Sequence, residues 1–320
     1  MTNKLDITTI ILTYNEEIHI RRCLENVCPF SKKVYVIDSP STDRTVEICN
    51  EFENVEVLVH KYPGNQAEQF NWTIDNCRID TEWILRVDAD EYCEPELITE
   101  MEQKLQTLPK EVSAVVVPIG REFMGRRLRH GIVNGVSLTR LLRPGKVRYE
   151  ASLMDEYMKV LEGESVKFDH AIVDASRIPL SAFTDKHNNY SSREAAMLLD
   201  AEYQLRDLSA ELSAGGEMAK EVIAKRAKKA KYSKMPLFWR SMGYFMYRYI
   251  VKMGFLDGKE GFCWDFFQGL WYRALVDGKV FQAKKWMKVE GLVIKKDGTL
   301  TEEGKSKLKT YIKDNWKISL

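Results

Sequence analysis

Apolar, β-branched segments alternate with segments of helical periodicity through the first third of the chain. Residues 7–13 (ITTIILT) and 34–37 (VYVI) have the composition of buried strands. Between them, residues 16–27 carry apolar side chains at helical spacing. The pattern predicts a strand, a helix and a second strand.

The same alternation continues beyond the second strand. Residues 45–52 and 66–77 predict helices, the first of them with Asp43 as its N-cap, whereas 55–59 and 83–87 predict strands. Repeated alternation of this kind is typical of a doubly wound α/β sheet, in which ligands bind outside the carboxyl ends of the strands.

The pattern changes in the remainder of the chain. Residues 112–118 predict another buried strand, and 137–142 and 157–168 predict shorter β segments. From about Ser181 onward, long polar stretches have helical periodicity. We therefore predict an α/β domain followed by a helical region, with a boundary near residue 185.

Overall charge and cysteine usage narrow the class of protein. Lys and Arg number 48 against 47 Asp and Glu, so the chain lacks the basic excess of a general nucleic-acid binder. Its six cysteines form no zinc-type CxxC pair, which fits reduced thiols in a cytoplasmic enzyme. The sequence shows no signal-peptide pattern, and no apolar run approaches the ~18 residues of a membrane span. We expect a cytoplasmic protein without a nucleic-acid partner.

A cluster of acidic side chains follows the apolar run ILRV. Asp88, Asp90, Glu91 and Glu94 lie close together in the sequence, and Asp38 ends another predicted strand. Like charges at a strand end repel one another unless a cation or a donor-rich ligand compensates them. Carboxylate oxygens suit Mg²⁺ or Mn²⁺, which proteins often hold together with substrate phosphates. The cluster predicts a metal-assisted site, although an isolated Asp-x-Asp is equally typical of a solvated turn.

These residues resemble a known family. The segments TYNEE (13–17), VIDSPSTDRT (36–45), QAEQFNW (66–72) and VDADE (87–91) have the order and spacing of family 2 glycosyltransferases with the GT-A fold. MDEY (154–157) extends the resemblance. The chain is therefore expected to transfer a sugar from a nucleotide-sugar donor.

The resemblance also implies an architecture. It implies an α/β, GT-A (Rossmann-like) fold with a mostly parallel sheet flanked by helices, and a helical, aromatic-rich C-terminal region. The expected catalytic domain spans 1–185, with a nucleotide-sugar half over about 1–110 and an acceptor half over about 111–185. The helical region spans 186–320. Within it, GFLDGKEGF (254–262) is similar to the bacterial branch that contains lipopolysaccharide core β-glucosyltransferases.

The resemblance implies roles for single residues as well. Asp90 matches the direct metal ligand, Asp88 matches a ribose or water-mediated metal contact, and His170 matches a late histidine that completes the metal shell. The cofactor would be Mn²⁺ or Mg²⁺. Structural roles for His170 and Arg86 are open alternatives. The residues implied to bind the nucleotide-sugar are Thr13, Asn15, Glu16, Asp38, Gln66, Asn71, Arg86 and Asp88.

A glycosyl transfer also needs a base to accept the proton of the acceptor hydroxyl. In MDEY, the resemblance favours Glu156, with Asp155 as the second candidate. The sequence departs from the family here, because it has Asp where His is common, and a solvated acidic turn is an alternative. Arg140 and Arg143 are further candidates for contacts with phosphates, or else ordinary sheet-edge charges. The family implies an inverting mechanism and a UDP-sugar.

Aromatic and basic residues are concentrated in the C-terminal region. Residues 236–272 hold 13 of the 34 aromatic residues, and 225–234 (KRAKKAKYSK) carry six Lys or Arg. Such a combination is typical of contact with anionic lipid headgroups. We predict a peripheral protein at the inner face of the cytoplasmic membrane, acting on a surface-glycan or glycolipid acceptor. Packing of the rings on the catalytic domain or in a homo-oligomer is the alternative.

Two other functions are compatible with parts of this pattern. A sugar-phosphate nucleotidyltransferase also uses a strand-end aspartate and a metal, but usually has a Gly-rich phosphate loop, which TYNEE lacks. A non-catalytic module that binds nucleotide-sugar or membrane would not need Asp38, Asp88 and Asp90 together. The nucleotidyltransferase would form a different product from an activated donor, and the binding module would form none.

Overall fold

The chain folds into two compact units, Met1–Arg177 and Ile178–Leu320. In the first, strands and helices alternate as the sequence predicts, and the second is helical. The computed structural model describes residues 4–133, 135–149, 158–205, 235–295 and 298–320.

The first part of unit 1 contains five strands and four helices among the described residues. They are β1 (Leu5–Thr13), α1 (Ile20–Val27), β2 (Ser31–Asp38), α2 (Thr45–Cys49), β3 (Val55–Val59), α3 (Gln66–Asn76), β4 (Trp83–Arg86), β5 (Glu91–Cys93) and α4 (Pro95–Lys104).

The second part of unit 1 is made of strands, after a 3₁₀ turn at Leu105–Thr107. Its described strands are β6 (Val112–Phe123), β7 (Arg126–Leu128), β8 (Ser137–Leu142), β9 (Val147–Tyr149), β10 (Met158–Val160), β11 (Glu164–Lys167) and β12 (Ile172–Asp174).

Ten of the described strands form one mixed sheet, with the main order β3-β2-β1-β4-β8-β6-β12-β5. From β3 to β4 all neighbours are parallel, whereas β8 runs antiparallel to both β4 and β6. The strands β9 and β10 pair separately. The parallel half therefore brings the carboxyl ends of four strands to one edge of the sheet.

The central strands of this sheet direct successive side chains into two different cores, one on each face. Helices cover both faces. In β1, Ile7 and Ile11 belong to the core that contains Leu24 of α1. Ile10, between them, belongs to the core that contains Phe70 of α3. All three isoleucines are fully buried. Burial on both faces explains why the strands read as continuous apolar runs.

The structure corrects two local predictions. Helix α1 begins at Ile20 rather than at residue 16. Asn15 adopts a left-handed backbone conformation (φ 55°), which interrupts regular secondary structure between β1 and the helix. Helix α2 has Arg44, not Asp43, at its N-cap position. The Asp43 carboxylate still accepts a hydrogen bond from the Thr45 N–H at 3.0 Å, so its capping chemistry is retained one position earlier.

Unit 2 is built from helices. Its described elements are α5 (Leu180–Tyr203), α6 (Trp239–Met246), a π-helical turn (Tyr247–Val251), a 3₁₀ turn (Gly254–Asp257), α7 (Gly258–Trp264), a second π-helical turn (Asp265–Trp271), α8 (Tyr272–Val289) and α9 (Glu302–Trp316).

The core of unit 2 lies between α5, α8 and α9, where Leu199, Val280 and Leu308 are buried together. All six cysteines of the chain are free thiols. Among the described residues, every helix is too short or too polar to cross a lipid bilayer.

Candidate active site

The predicted site residues of β1, β2 and β4 come to the same edge of the sheet. Thr13 pairs in register with Asp38, and both end their strands. On the other side of β1, Ile10 pairs with Arg86, the last residue of β4. Asp88 and Asp90 follow directly, so the parallel register brings them to the edge that carries Asp38.

Asp38 is buried at this edge and organises two loops. Its carboxylate accepts hydrogen bonds from Thr13 Oγ1 (3.0 Å), from the Ser41 N–H (2.7 Å) and from Ser41 Oγ (2.5 Å). Only 1% of the residue is exposed. Because a carboxylate has about four acceptor positions, most of its capacity is already used within the protein.

The TYNEE loop is fixed by hydrogen bonds to the loop that follows β2. The Asn15 N–H donates to Ser41 Oγ (2.8 Å), and Asn15 Oδ1 accepts from the Thr42 N–H (2.8 Å). The Glu16 N–H donates to Thr45 Oγ1 at 2.8 Å. The two polar loops are therefore joined by hydrogen bonds into one wall.

The Glu16 carboxylate of this wall is held by a histidine. Its Oε2 lies 2.6 Å from His19 Nδ1, and His19 Nε2 accepts a hydrogen bond from the Arg177 N–H at 2.8 Å. With Nε2 acting as an acceptor, Nδ1 carries the proton that it donates to Glu16. The predicted nucleotide-side residue Glu16 thus has a fixed orientation.

A cleft of about 580 Å³ opens beside this wall. Of the predicted residues, Thr13, Glu16 and Gln66 line it. The volume lies in the range of small-molecule sites in proteins. Side chains that sequence reasoning did not assign to the site complete its lining, namely Leu12, Tyr14, Ser39, Pro40, Lys61, Tyr62 and Gln69.

Two arginines compensate the first aspartate of the acidic cluster. Asp88 Oδ1 lies 3.4 Å from Arg86 Nη2, and Asp88 Oδ2 lies 3.4 Å from Arg140 Nη2. Burial opposes ionisation of Asp88, but the charges of Arg140 and Arg86 outweigh it and lower the pKa of this carboxyl below its ordinary value. Asp88 is therefore an anion without any added cation.

Arg140 also forms an ion pair with Glu91, and both side chains are 4% exposed. Glu91 Oε2 accepts a hydrogen bond from the Asp88 N–H at 2.9 Å. Burial raises the pKa of Glu91, and Arg140 opposes that increase. Glu91, which belongs to the acidic cluster in the sequence, thus fixes the Asp88 backbone and pairs with the arginine that compensates Asp88.

Asp90 has a different environment. Burial, and then the negative charges of Asp174, Asp88 and Glu16, raise the pKa of Asp90 to about 6. Its backbone oxygen is fixed by Arg22 Nη2 at 2.8 Å. A carboxylate among like charges gains most from an added cation, and its hard oxygen atoms suit Mg²⁺ or Mn²⁺.

Three other predicted residues form the floor beside Asp88. Arg86 Nη2 donates to Gln66 Oε1 at 2.7 Å, and its guanidinium lies 4.9 Å from the centre of the Tyr149 ring. Asn71 donates to the Tyr149 carbonyl (2.9 Å) and accepts from the Tyr149 N–H (3.0 Å). The amide of Asn71 therefore holds a backbone segment in place beside the site.

The structure does not bring His170 to the aspartates. Strand β12 runs antiparallel to β5 with Asp174 opposite Glu91, so His170 lies beyond the end of β5 that is remote from Asp90. His170 Nδ1 is instead 2.9 Å from Glu100 Oε2. Among the described residues, no group of three or more His, Cys, Asp or Glu side chains is placed to hold a metal.

Two further expectations have different outcomes. Arg143 pairs with Glu82, before the start of β4, and so lies at the opposite edge of the sheet from the site. Asp155 and Glu156 lie outside the described residues. The sequence did not mark Asp174 as a site residue, because 84 positions separate it from Asp90. Only the folded sheet brings the two carboxylates close together.

Residues 8–158 match the family described as glycosyl transferase family 2. This match covers slightly less than half of the 320 residues of the chain. The predicted α/β architecture, with helices on both faces of the sheet and an aromatic-rich helical C-terminal region, is confirmed.

Curated relatives are similar over part of their length. The SPbeta prophage-derived glycosyltransferase SunS of Bacillus subtilis is 27% identical over 190 residues, which are 59% of this chain and 40% of SunS. An uncharacterized glycosyltransferase of Rickettsia bellii is 38% identical over 97 residues, 30% of this chain and 31% of that protein. The chain thus matches less than half the length of these relatives.

Solved structures are similar at a low level. Residues 1–349 of TarS from S. aureus give a TM-score of 0.42 at 15% identity, covering 92% of this chain and 95% of that one. The mannosyltransferase PcManGT from Pyrobaculum calidifontis, in complex with GDP-Man and Mn²⁺, gives 0.47 at 14% identity, covering 88% and 89%. At these scores the likeness supports no argument about substrate.

Proposed function

We propose that this protein is an inverting, metal-dependent glycosyltransferase that moves a sugar from a nucleotide-sugar to a hydroxyl group. The observation that carries the proposal is the common strand edge, where a cleft of about 580 Å³ adjoins the carboxyl ends of β1 and β2, and Asp88 and Asp90 follow β4 at the same edge. An open α/β sheet binds its ligands at such an edge.

The donor would enter the cleft with its nucleoside against the wall formed by Thr13 and Glu16. Polar side chains of Ser39, Gln66 and Gln69 line the same cleft and can donate to or accept from a base and a ribose. The family resemblance favours a uridine diphosphate sugar. Asp38 would act through Thr13 and Ser41, whose positions it fixes.

Asp90 would hold the divalent cation, with Asp88 as its neighbour. The residues fit such an ion, since Asp90 presents oxygen ligands in an excess of negative charge while Asp88 is already compensated by Arg86 and Arg140. A bound Mn²⁺ or Mg²⁺ supplies neutralisation of the charge that develops on the departing diphosphate. With few protein ligands, the phosphates themselves complete such a site.

The acceptor would be activated by the MDEY segment, where Glu156 is the first candidate and Asp155 the second. The base takes the proton of the acceptor hydroxyl while the oxygen forms a bond to the anomeric carbon and the bond to the diphosphate breaks. A single displacement of this kind inverts the anomeric carbon and requires one base. The resemblance of residues 254–262 favours a bacterial surface glycan or lipid-linked precursor as the acceptor. We place the enzyme at the inner face of the cytoplasmic membrane as a peripheral protein.

Donor hydrolysis in the presence of Mn²⁺ tests the proposal. A panel of nucleotide-sugars should first be screened by thermal shift, because a bound donor stabilises the folded state. The donor that stabilises the protein should then slowly release free nucleoside diphosphate. Formation of nucleoside triphosphate and sugar 1-phosphate when pyrophosphate is added to the donor would instead identify a nucleotidyltransferase, and stabilisation without any product would identify a binding module; both outcomes contradict the proposal.

A pair of variants assigns the reaction to the strand edge. Asp90→Asn should lower the metal-dependent hydrolysis by at least about 100-fold, because the cation loses its charged ligand. Asp169→Asn is the matched control, since this aspartate is 81% exposed and lies near His170, away from the site. Equal activities of the two variants would contradict the role of Asp90.

A further inference from the structure

The segment 238–256 in unit 2 has its polarity reversed relative to a water-soluble helix. Its buried side chains are all polar, namely Arg240, Ser241 and Arg248, at 2%, 0% and 6% exposure. Arginine is among the residues least often buried in proteins. Most exposed large side chains are apolar or aromatic, with Trp239 at 77% and Val251 at 63%.

The buried charges of this segment are compensated within unit 2. Arg240 Nε lies 2.7 Å from Asp277 Oδ1, and Arg248 Nε lies 2.7 Å from Asp265 Oδ1. Both carboxylates are 1% exposed. Gly254 allows the turn to close on Asp265, because a Cβ there would lie 1.9 Å from its Oδ2. Because both arginines are paired with buried carboxylates, neither charge depends on water at the outer face of the segment.

The outer surface of the segment carries a group of exposed apolar side chains that we call the apolar face. It comprises Trp239, Met242, Met246, Ile250, Val251 and Phe255, each at least 44% exposed. Monomeric proteins in water rarely expose apolar side chains in such a group. We therefore expect a binding partner or a lipid surface to cover this face.

The charges around the apolar face indicate which occupant fits. Within 238–256 the exposed charged side chain is Lys252. The sequence immediately before the segment, 225–234, adds six Lys or Arg and no acidic residue. An exposed lysine on an apolar face with Trp and Tyr, together with a basic stretch next in the sequence, complements the anionic headgroups and hydrocarbon boundary of a lipid bilayer.

A protein partner fits this face less well. Specific protein interfaces carry roughly one hydrogen bond per 100–200 Å². Across 238–256 the exposed polar side chains are Lys252 and Tyr247, so the face offers little to orient a partner. Residues 239–251 form a continuous helical arm of about 20 Å, shorter than the ~30 Å hydrocarbon core of a bilayer. The arm is therefore suited to lie in the interface.

We propose that residues 238–256 form a membrane-docking element that inserts its apolar face into the headgroup boundary of an anionic phospholipid bilayer. The proposal deepens the peripheral location proposed above by naming the element and the class of lipid. Lys252 contacts the headgroups, and the buried pairs of Arg240 and Arg248 keep their partners in either environment.

Flotation of the full chain with lipid vesicles tests the proposal. The wild type should bind vesicles of phosphatidylcholine with phosphatidylserine more tightly than vesicles of phosphatidylcholine alone. Val251→Asp should lower vesicle binding by at least about ten-fold, because an inserted apolar side chain becomes a carboxylate. Val293→Asp, at a position with 62% exposure outside the segment, is the matched control and should bind like the wild type.

A charge variant tests the lipid class. Lys252→Gln should lower binding to the anionic vesicles by about five-fold and leave binding to neutral vesicles unchanged. Equal binding of the Val251 and Val293 variants, or a loss from Lys252→Gln on neutral vesicles as well, would overturn the proposal. So would a lipid-free dimer that Val251→Asp converts to a monomer in sedimentation, because a second copy would then occupy the face.

Donor hydrolysis separates this proposal from the enzymatic one. Val251→Asp should leave hydrolysis in vesicle-free solution at the wild-type rate, which also reports a folded protein. Wild-type protein that floats but does not hydrolyse any donor would overturn the enzymatic proposal alone. Protein that hydrolyses donor but does not float would overturn the docking element alone.

Discussion

Replacing Arg140 with methionine tests whether the buried charged side chains at the strand edge stabilise the fold by compensating one another. Arg140 and Glu91 are each 4% exposed and form an ion pair, and Arg140 Nη2 lies 3.4 Å from Asp88 Oδ2. Methionine keeps an unbranched apolar stem and removes the charge. The Arg140→Met variant therefore leaves Glu91 buried without its partner.

The expected loss of stability follows from this burial. Breaking a buried ion pair by removing one partner costs about 3–5 kcal/mol. In a domain of this size that corresponds to a fall in Tm of roughly 10 °C. Arg148→Met is the matched control, because Arg148 and Asp75 form an exposed pair at 2.7 Å, 41% and 49% exposed. An exposed pair contributes about 0–1 kcal/mol.

Calorimetry of both variants measures the difference, and hydrogen exchange of β4 assigns the transition to unit 1. Adding Glu91→Gln to Arg140→Met should recover part of the loss, because it removes the buried carboxyl that has lost its partner. A loss of stability in Arg140→Met no larger than that in Arg148→Met would contradict a stabilising buried ion pair at Arg140. So would a double variant in which Glu91→Gln adds its full cost to that of Arg140→Met.

Three further predictions follow from single contacts. Asn71→Ala should lower the free energy of unfolding by about 1–3 kcal/mol, since it removes both hydrogen bonds to the Tyr149 backbone; urea denaturation measures this, and a loss below that range would contradict it. His170→Ala should leave the affinity for Mn²⁺ with nucleotide unchanged in calorimetric titration, because this side chain binds Glu100; a ten-fold loss would reinstate it as a ligand. Despite burial, hydrogen bonds from Lys104 and His170 lower the pKa of Glu100 from its ordinary 4.5, so its stabilising effect is complete above pH 4.5 and disappears as the pH falls through the lower folded value. Glu100→Gln should thus lower Tm at pH 7 and approach the wild-type Tm in strongly acidic buffer; a Tm difference that does not depend on pH would exclude this linkage.

Local pattern was sufficient to predict the parallel half of the sheet. Continuous apolar runs such as ITTIILT can be buried on both faces, and the helical spacing between them leaves few other arrangements. The sequence also placed Thr13, Asp38 and Asp88 at strand ends. In a parallel sheet all carboxyl ends share one edge, so proximity of these residues followed from the strand pattern alone.

The sequence could not assign partners across long separations. His170 and Asp174 are four positions apart, yet the antiparallel register of β12 brings Asp174 to Asp90 and His170 to Glu100. Likewise, the sequence marked 236–272 as aromatic but not which side chains face outward. In 238–256 that orientation depends on where the buried arginines find their carboxylates. Sequence patterns reflect the local repeat of a strand or helix, whereas register and charge pairing depend on neighbours that only the folded chain supplies.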